Sequence, residues 1–154
     1  MREKFATELY ELMKKDKDII LITADLGYGL FDKIKNDMSD RFYNVGAAEQ
    51  VMMDMAIGFS LNKKIPVVYS ITPFLIFRAF ESIRNYIGHE GIKIIMIGSG
   101  RGQDYKREGF SHDANDHKIL RQFPNIKFIV PEDNDFDLNS IIYLDKPVYL
   151  NLRR

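Results

Sequence analysis

Short, apolar, Ile- and Val-rich runs recur along this chain, and segments of helical period separate them from end to end. A strand open to water on one side alternates apolar and polar residues. Residues 18–23, Asp-Ile-Ile-Leu-Ile-Thr, do not alternate, which is the pattern of a strand covered on both faces. A brief strand is expected over 42–45, and further strands over 66–70, 92–97, 126–130 and 147–152. Between them lie predicted helices over 30–38, 47–62, 74–87, 112–123 and 134–142. A first helix over 3–15 carries Phe5, Leu9, Leu12 and Met13 on one stripe. Buried strands separated by helices predict an α/β fold, a doubly wound and mostly parallel sheet with helices on both faces. Neither an internal repeat nor a linker interrupts the pattern, so residues 1–154 read as a single domain. Ligands of such sheets bind beyond the carboxyl ends of the strands, here the loops after residues 23, 45, 70 and 97.

Charge and cysteine content remove several function classes. Lys plus Arg number 22 and Asp plus Glu number 22, so the basic excess needed to neutralise a phosphate backbone is missing and nucleic acid is not the expected partner. Cysteine is absent, which excludes disulfides and thiolate metal sites. The opening residues, Met1-Arg2-Glu3-Lys4-Phe5, mix acid and base ahead of any apolar stretch and do not read as a signal peptide. A membrane span is not expected either, and the cytoplasm is the expected location.

Several local patterns invite chemistry and have plainer accounts. Gly27 and Gly29 would need a third glycine where Asp32 stands, and Gly98 and Gly100 one where Gln103 stands. Without it the close helix–strand packing of a dinucleotide fingerprint is lost, and all four read as turn glycines. His112, Asp113, Asp116 and His117 pair at helical spacing, but the two pairs face different sides and lack further ligands. Solvated residues of a helix start, capped by Ser111 or Asp113, account for them. Glu49 follows Asn44-Val45-Gly46-Ala47-Ala48 where a strand gives way to a helix. There the helix dipole by itself favours a carboxylate.

Residues 69–85, Tyr-Ser-Ile-Thr-Pro-Phe-Leu-Ile-Phe-Arg-Ala-Phe-Glu-Ser-Ile-Arg-Asn, make the pattern specific. A strand, a small-residue loop and a Phe–Arg-Ala-aromatic–Ile-Arg helix resemble the pyrimidine-binding domain of the transketolase and deoxyxylulose-phosphate synthase family. Upstream, Ala24-Asp25-Leu26 and Arg41-Phe42 with Gly46-Ala47-Ala48-Glu49-Gln50 and Met53 are similar to that family's blocks. Downstream, Glu108-Gly109-Phe110-Ser111-His112, Leu120-Arg121, Pro124-Asn125 and Pro147-Val148-Tyr149 follow in the family's order. The resemblance runs from residue 20 to residue 152.

The resemblance implies a thiamine diphosphate enzyme in which Glu49 hydrogen-bonds N1′ of the cofactor's aminopyrimidine. Phe74 would pack on that ring, with Phe77 a second candidate whose alternative is helix core. Asp25 matches an acid near the cofactor at the subunit boundary. Arg78 matches a position facing a substrate's anionic end, with a surface salt bridge as its alternative. His112 matches a histidine that meets substrate hydroxyls or a developing oxyanion, and so stands beside Glu49 as a catalytic candidate. Glu108 replaces an aspartate that reads a hydroxyl, and Gly100 stands where transketolases commonly hold another histidine. Both departures point to a substrate unlike the usual ketose phosphates.

The family's Gly-Asp-Gly…Asn motif for the diphosphate and its Mg2+ does not occur here. The chain is therefore expected to be one subunit of a split transketolase-like enzyme that moves a two-carbon ketol unit between sugar-type substrates. A partner subunit would bind the diphosphate and metal in a two-fold hetero-oligomer. The alternatives are the pyrimidine-domain subunit of a 2-keto acid decarboxylase and a noncatalytic scaffold domain.

Overall fold

The computed structural model describes residues 1–102, 104–112 and 117–154, without the side chains of His117 and Lys118. Helix α1 (Arg2–Lys15) leads into β1 (Ile19–Thr23), α2 (Asp32–Asp37), β2 (Phe42–Asn44) and α3 (Glu49–Leu61). Strand β3 (Ile65–Ile71), α4 (Thr72–Arg78), α5 (Phe80–Ser82) and a π-helix over Ile83–His89 follow. The chain continues through β4 (Ile95–Ser99), α6 (His117–Leu120), β5 (Lys127–Ile129), α7 (Leu138–Ile142) and β6 (Val148–Leu152). All six strands are parallel, in the order β2-β1-β3-β4-β6-β5. The expected sheet is thus present, and parallel throughout.

Each face of the sheet carries its own core. Successive strand residues point to opposite sides, so Leu21, Tyr69, Ile97 and Leu150 meet α1, α2 and α7 on one face. Phe5, Phe31 and Tyr69 interlock there, Phe31 standing edge-on to Tyr69 at 5.0 Å and Phe5 stacked on it at 6.2 Å. Ile22, Val68, Met96 and Tyr149 face the other way, onto Met52, Met53 and Ala56 of α3 and Leu75 and Ile76 of α4. Helices leave β1 and β3 toward opposite faces, which opens the crevice of a doubly wound sheet at the carboxyl ends of these two strands. Among the described residues no helix is long and apolar enough to cross a membrane.

Three expectations need correction. The helix expected over 74–87 is broken at Ala79, whose φ of −112° and ψ of 21° leave the helical region, and it resumes as a π-helix. Leu75, Ala79, Ile83 and Ile87 are all fully buried, yet residues four apart drift about 40° per step round an α-helix. A break and a wider turn keep all of them on the core side. Of the helix expected over 112–123, the described residues place His117–Leu120 in a helix and 121–123 outside it, while Ser111 and His112 belong to a 3-10 turn, Phe110–His112. The expectations for Asp113 and Asp116 lie outside the described residues. Finally, Gly98 is a residue of β4 and not of a turn. A Cβ there would stand 2.5 Å from the Tyr149 hydroxyl and 2.8 Å from Thr72 Oγ1, so glycine makes room for buried polar groups. Gly27, Gly29 and Gly100 do have positive φ, as turn glycines should.

Candidate active site

Glu49 opens α3, and its side chain is 1% exposed. A carboxylate in a helix's first turn gains from the dipole, but burial to this degree costs several kcal/mol unless hydrogen bonds offset it. Two do. Ser70 Oγ donates to Oε1 at 3.0 Å, and Arg78 Nη1 donates to Oε2 at 2.8 Å. Ser70 lies near the carboxyl end of β3, on the side facing α3, while Arg78 ends α4 and remains 45% exposed. Next along α3, Gln50 donates to Asp54 and to Ser82 Oγ, and Ser82 donates to Asp54, so the first turn of α3 is also clasped to α5.

Aromatic groups flank the carboxylate. Phe74 of α4 is half-buried, with the Arg78 guanidinium 3.9 Å above its ring and His112 meeting it edge-on at 4.8 Å. Ser111 Oγ lies 3.0 Å from His112 Nδ1, and the Tyr105 ring is 6.0 Å from the imidazole. Glu49, Phe74, Arg78 and His112 are therefore brought together. Phe77 is 51% exposed and points away from the core, so it is not a core residue of the helix. Glu108 is exposed and pairs with Arg154 at 3.7 Å. Asp25 has a φ of 52°, a region non-glycine residues rarely occupy, and accepts a 2.5 Å hydrogen bond from the Tyr28 hydroxyl. That bond, offset in part by Asn44 and helped by the nearby Asp25 charge, raises the Tyr28 hydroxyl above the ordinary tyrosine value.

Beneath the loop that carries His112 runs a buried polar network. Thr72 Oγ1 donates to the Gly100 carbonyl at 2.6 Å and accepts from Asn151 Nδ2 at 2.9 Å. The Tyr105 ring fills the space beside Gly100, where a Cβ would lie 2.2 Å from its Cε2. A histidine at 100 would need Tyr105 to move. Sequence reasoning missed Ser70, Thr72, Tyr105 and Asn151. The signal for Ser70 was a hydroxyl placed late in an otherwise apolar strand.

A cavity of about 640 Å³ lined by Arg84, His89, Phe123 and Asn125 contains none of the residues just described. Its lining precedes β4 and β5, so it sits at the amino edge of the sheet. Among the described residues no cluster of three or more His, Asp or Glu could hold a metal.

The whole arrangement fits a flat, nitrogen-bearing heteroaromatic ring. A buried carboxylate offers an acceptor at the sheet's carboxyl edge, beside an aromatic face for stacking. Arg78 lies across both, bonded to Glu49 and stacked on Phe74, with its side chain half-exposed.

Comparison with known proteins places this geometry in a lineage. Residues 1–151 match the family described as transketolase, pyrimidine binding domain. A putative transketolase C-terminal section of Methanocaldococcus jannaschii is 31% identical, over 100% of this chain and 50% of its own length. A 6-deoxy-6-sulfo-D-fructose transketolase subunit of a Clostridium species is 28% identical over 100% of this chain and 49% of its own. A split-gene transketolase, solved as an inactive beta4 tetramer, superposes with a TM-score of 0.85 at 30% identity, covering 99% of this chain and 51% of that one. Campylobacter jejuni transketolase shares the fold, with a TM-score of 0.86 at 18% identity. The chain spans about half the length of the curated relatives it matches. With its sheet order, its buried carboxylate and a match over nearly every residue, the chain belongs to the transketolase pyrimidine-binding-domain family.

Proposed function

We propose that this chain is the pyrimidine-binding subunit of a split, thiamine-diphosphate-dependent transketolase, transferring a two-carbon ketol unit between sugar-type substrates. The observation that carries the reading is Glu49, buried yet held at both oxygens at the carboxyl edge of the sheet. When bound, thiamine diphosphate supplies a carbon nucleophile and an electron sink for cleaving and forming carbon–carbon bonds. Glu49 would hold the ring at N1′ by sharing a proton with it, which a carboxyl in a low-dielectric pocket is suited to do. Ser70 keeps that carboxyl from rotating. Phe74 offers its face to the ring, and Arg78 leaves both Phe74 and Glu49 to make way. Released from Glu49, Arg78 is free to meet an anionic substrate terminus. His112, against Phe74, is within the same mouth and donates to substrate oxygens; Asp25 stands on the loop after β1, and Glu108, on the loop that carries His112, would reach a substrate hydroxyl on leaving Arg154. Phe77, exposed beside Phe74, packs against whatever closes over the ring.

The diphosphate and Mg2+ would be held by a second subunit, a reading supported by relatives that are named as single sections or subunits of a transketolase. Pairs of each subunit about a two-fold axis would complete the enzyme. Sugar-type rather than 2-keto acid substrates are favoured because curated relatives act, by name, on 6-deoxy-6-sulfo-D-fructose and apulose-4-phosphate.

The test is Glu49→Gln in the assembled enzyme. Gln still accepts from Ser70 but cannot share a proton with N1′. Turnover of a ketose donor should fall by roughly 100-fold or more. Turnover at the wild-type rate would remove Glu49 from the chemistry. Decarboxylation of pyruvate without ketose cleavage would replace the substrate class.

A further inference from the structure

Asn44 closes β2, five positions before Glu49, and its side-chain oxygen accepts from two backbone amides. One belongs to Gly46 at 3.1 Å, a local Asx-type turn that any turn-starting asparagine could make. The other belongs to Asp25 at 3.0 Å, 19 residues earlier in sequence and on the neighbouring loop. The Tyr28 hydroxyl donates to Asp25 Oδ1 on the same loop. Asp25 is held at a positive φ of 52°, a conformation unfavourable by a kcal/mol or more without local hydrogen bonds, so Asn44 supplies part of what keeps it there. Gly46, at a φ of 72°, is the pivot from which the chain turns through Ala47 and Ala48 into Glu49. One exposed side chain thus ties together two loops that each carry an acid of the candidate site.

Resting on the reading of Glu49 and Asp25 given above, we propose that Asn44 is a positioning residue for the reaction. Its oxygen pins the loop after β1 to the turn that launches α3, and so fixes the spacing of Asp25 and Glu49 around the bound ring. Small errors in such spacing are costly, because reacting groups must meet within a few tenths of an ångström of their productive geometry.

Asn44→Ala removes the acceptor, and Asn44→Asp keeps it on an isosteric side chain whose charge falls on the same two amide donors. In the chain alone, amide hydrogen exchange at Asp25 and Gly46 should speed about tenfold in Asn44→Ala and return toward wild type in Asn44→Asp. In the assembled enzyme, kcat should fall about tenfold in Asn44→Ala, with KM for the donor little changed, and recover to within about threefold in Asn44→Asp. Unchanged exchange in Asn44→Ala, unchanged kcat in that variant, or an Asn44→Asp variant as impaired as Asn44→Ala would each overturn the proposal. Absence of thiamine-diphosphate-dependent turnover in the wild-type assembly would sink the functional reading instead, and the exchange measurement would still decide whether Asn44 pins the loops.

Discussion

Replacing Ser70 by Ala isolates the support beneath the buried carboxylate. Ser70 is 0% exposed and Glu49 2%, so water cannot take over the lost hydrogen bond. A hydrogen bond to a charged group contributes about 1.5–3 kcal/mol, and a bare buried acceptor keeps its desolvation cost. The vacated oxygen leaves a void of roughly 10–15 Å³, too cramped and too poorly supplied with partners to bind water well, adding about 0.3 kcal/mol. Arg78, half-exposed, can follow the carboxylate as it relaxes and return part of this. The sum is about 2 kcal/mol, and in a domain of this length that lowers Tm by about 4–8 °C. Thermal unfolding followed by circular dichroism, with urea titration as the second measure, reads it directly. The same substitution in a Glu49→Gln background should cost only about 1 kcal/mol, because the acceptor is then neutral. A Tm within roughly 1 °C of wild type, or an equal loss in both backgrounds, would refute the idea that Ser70 supports a charge.

Other consequences can be checked on the chain alone. Gly98→Ala drives a methyl into the Tyr149 hydroxyl and Thr72 Oγ1. It should destabilise by about 2 kcal/mol and lower the urea midpoint at unchanged m-value. An unchanged midpoint would mean that Thr72 and Asn151 do not form the network described. Asp137 caps α7, accepting from the Asn139 amide at 3.1 Å and from the Ser140 hydroxyl. These bonds, the Ser140 hydroxyl first, hold its carboxyl below the ordinary aspartate value. A folded-state value below the unfolded one contributes stability above the unfolded pKa and loses it as pH falls through the folded pKa. Asp137→Ala should therefore be less stable than wild type at neutral pH, and the gap in Tm should close on acidification. A gap that stayed constant with pH would show the cap to be uncharged in its effect.

Strand and helix content was legible because burial on both faces leaves a plain mark: continuous Ile- and Val-rich runs with no alternation. β1 and β3 fell where those runs do, to within a residue or so at each end. Helix continuity was not legible. Residues 74–87 satisfy a helical period locally, and only the shape of the surface they cover decides that the helix breaks at Ala79 and widens after it. Gly98 misled for a related reason. In sequence it looks like one half of a turn dipeptide with Gly100, while its requirement comes from Tyr149, 51 residues on, whose hydroxyl needs the space.

For the site, the sequence determined the kinds of group and their order: an acid at a strand-to-helix junction, an aromatic and an arginine on the following helix, a histidine beyond the next strand. Side-chain chemistry and local period are properties of the chain itself, so they could be read from it. Which groups touch was decided by the fold. Parallel strands bring β1, β2, β3 and β4 to one edge with their loops side by side, and there Ser70 and Arg78 close on Glu49 across 21 and 29 residues, while Asn44 reaches Asp25 across 19. Hydrogen bonds of this kind depend on distances of a few tenths of an ångström between distant segments, and no linear pattern encodes such distances.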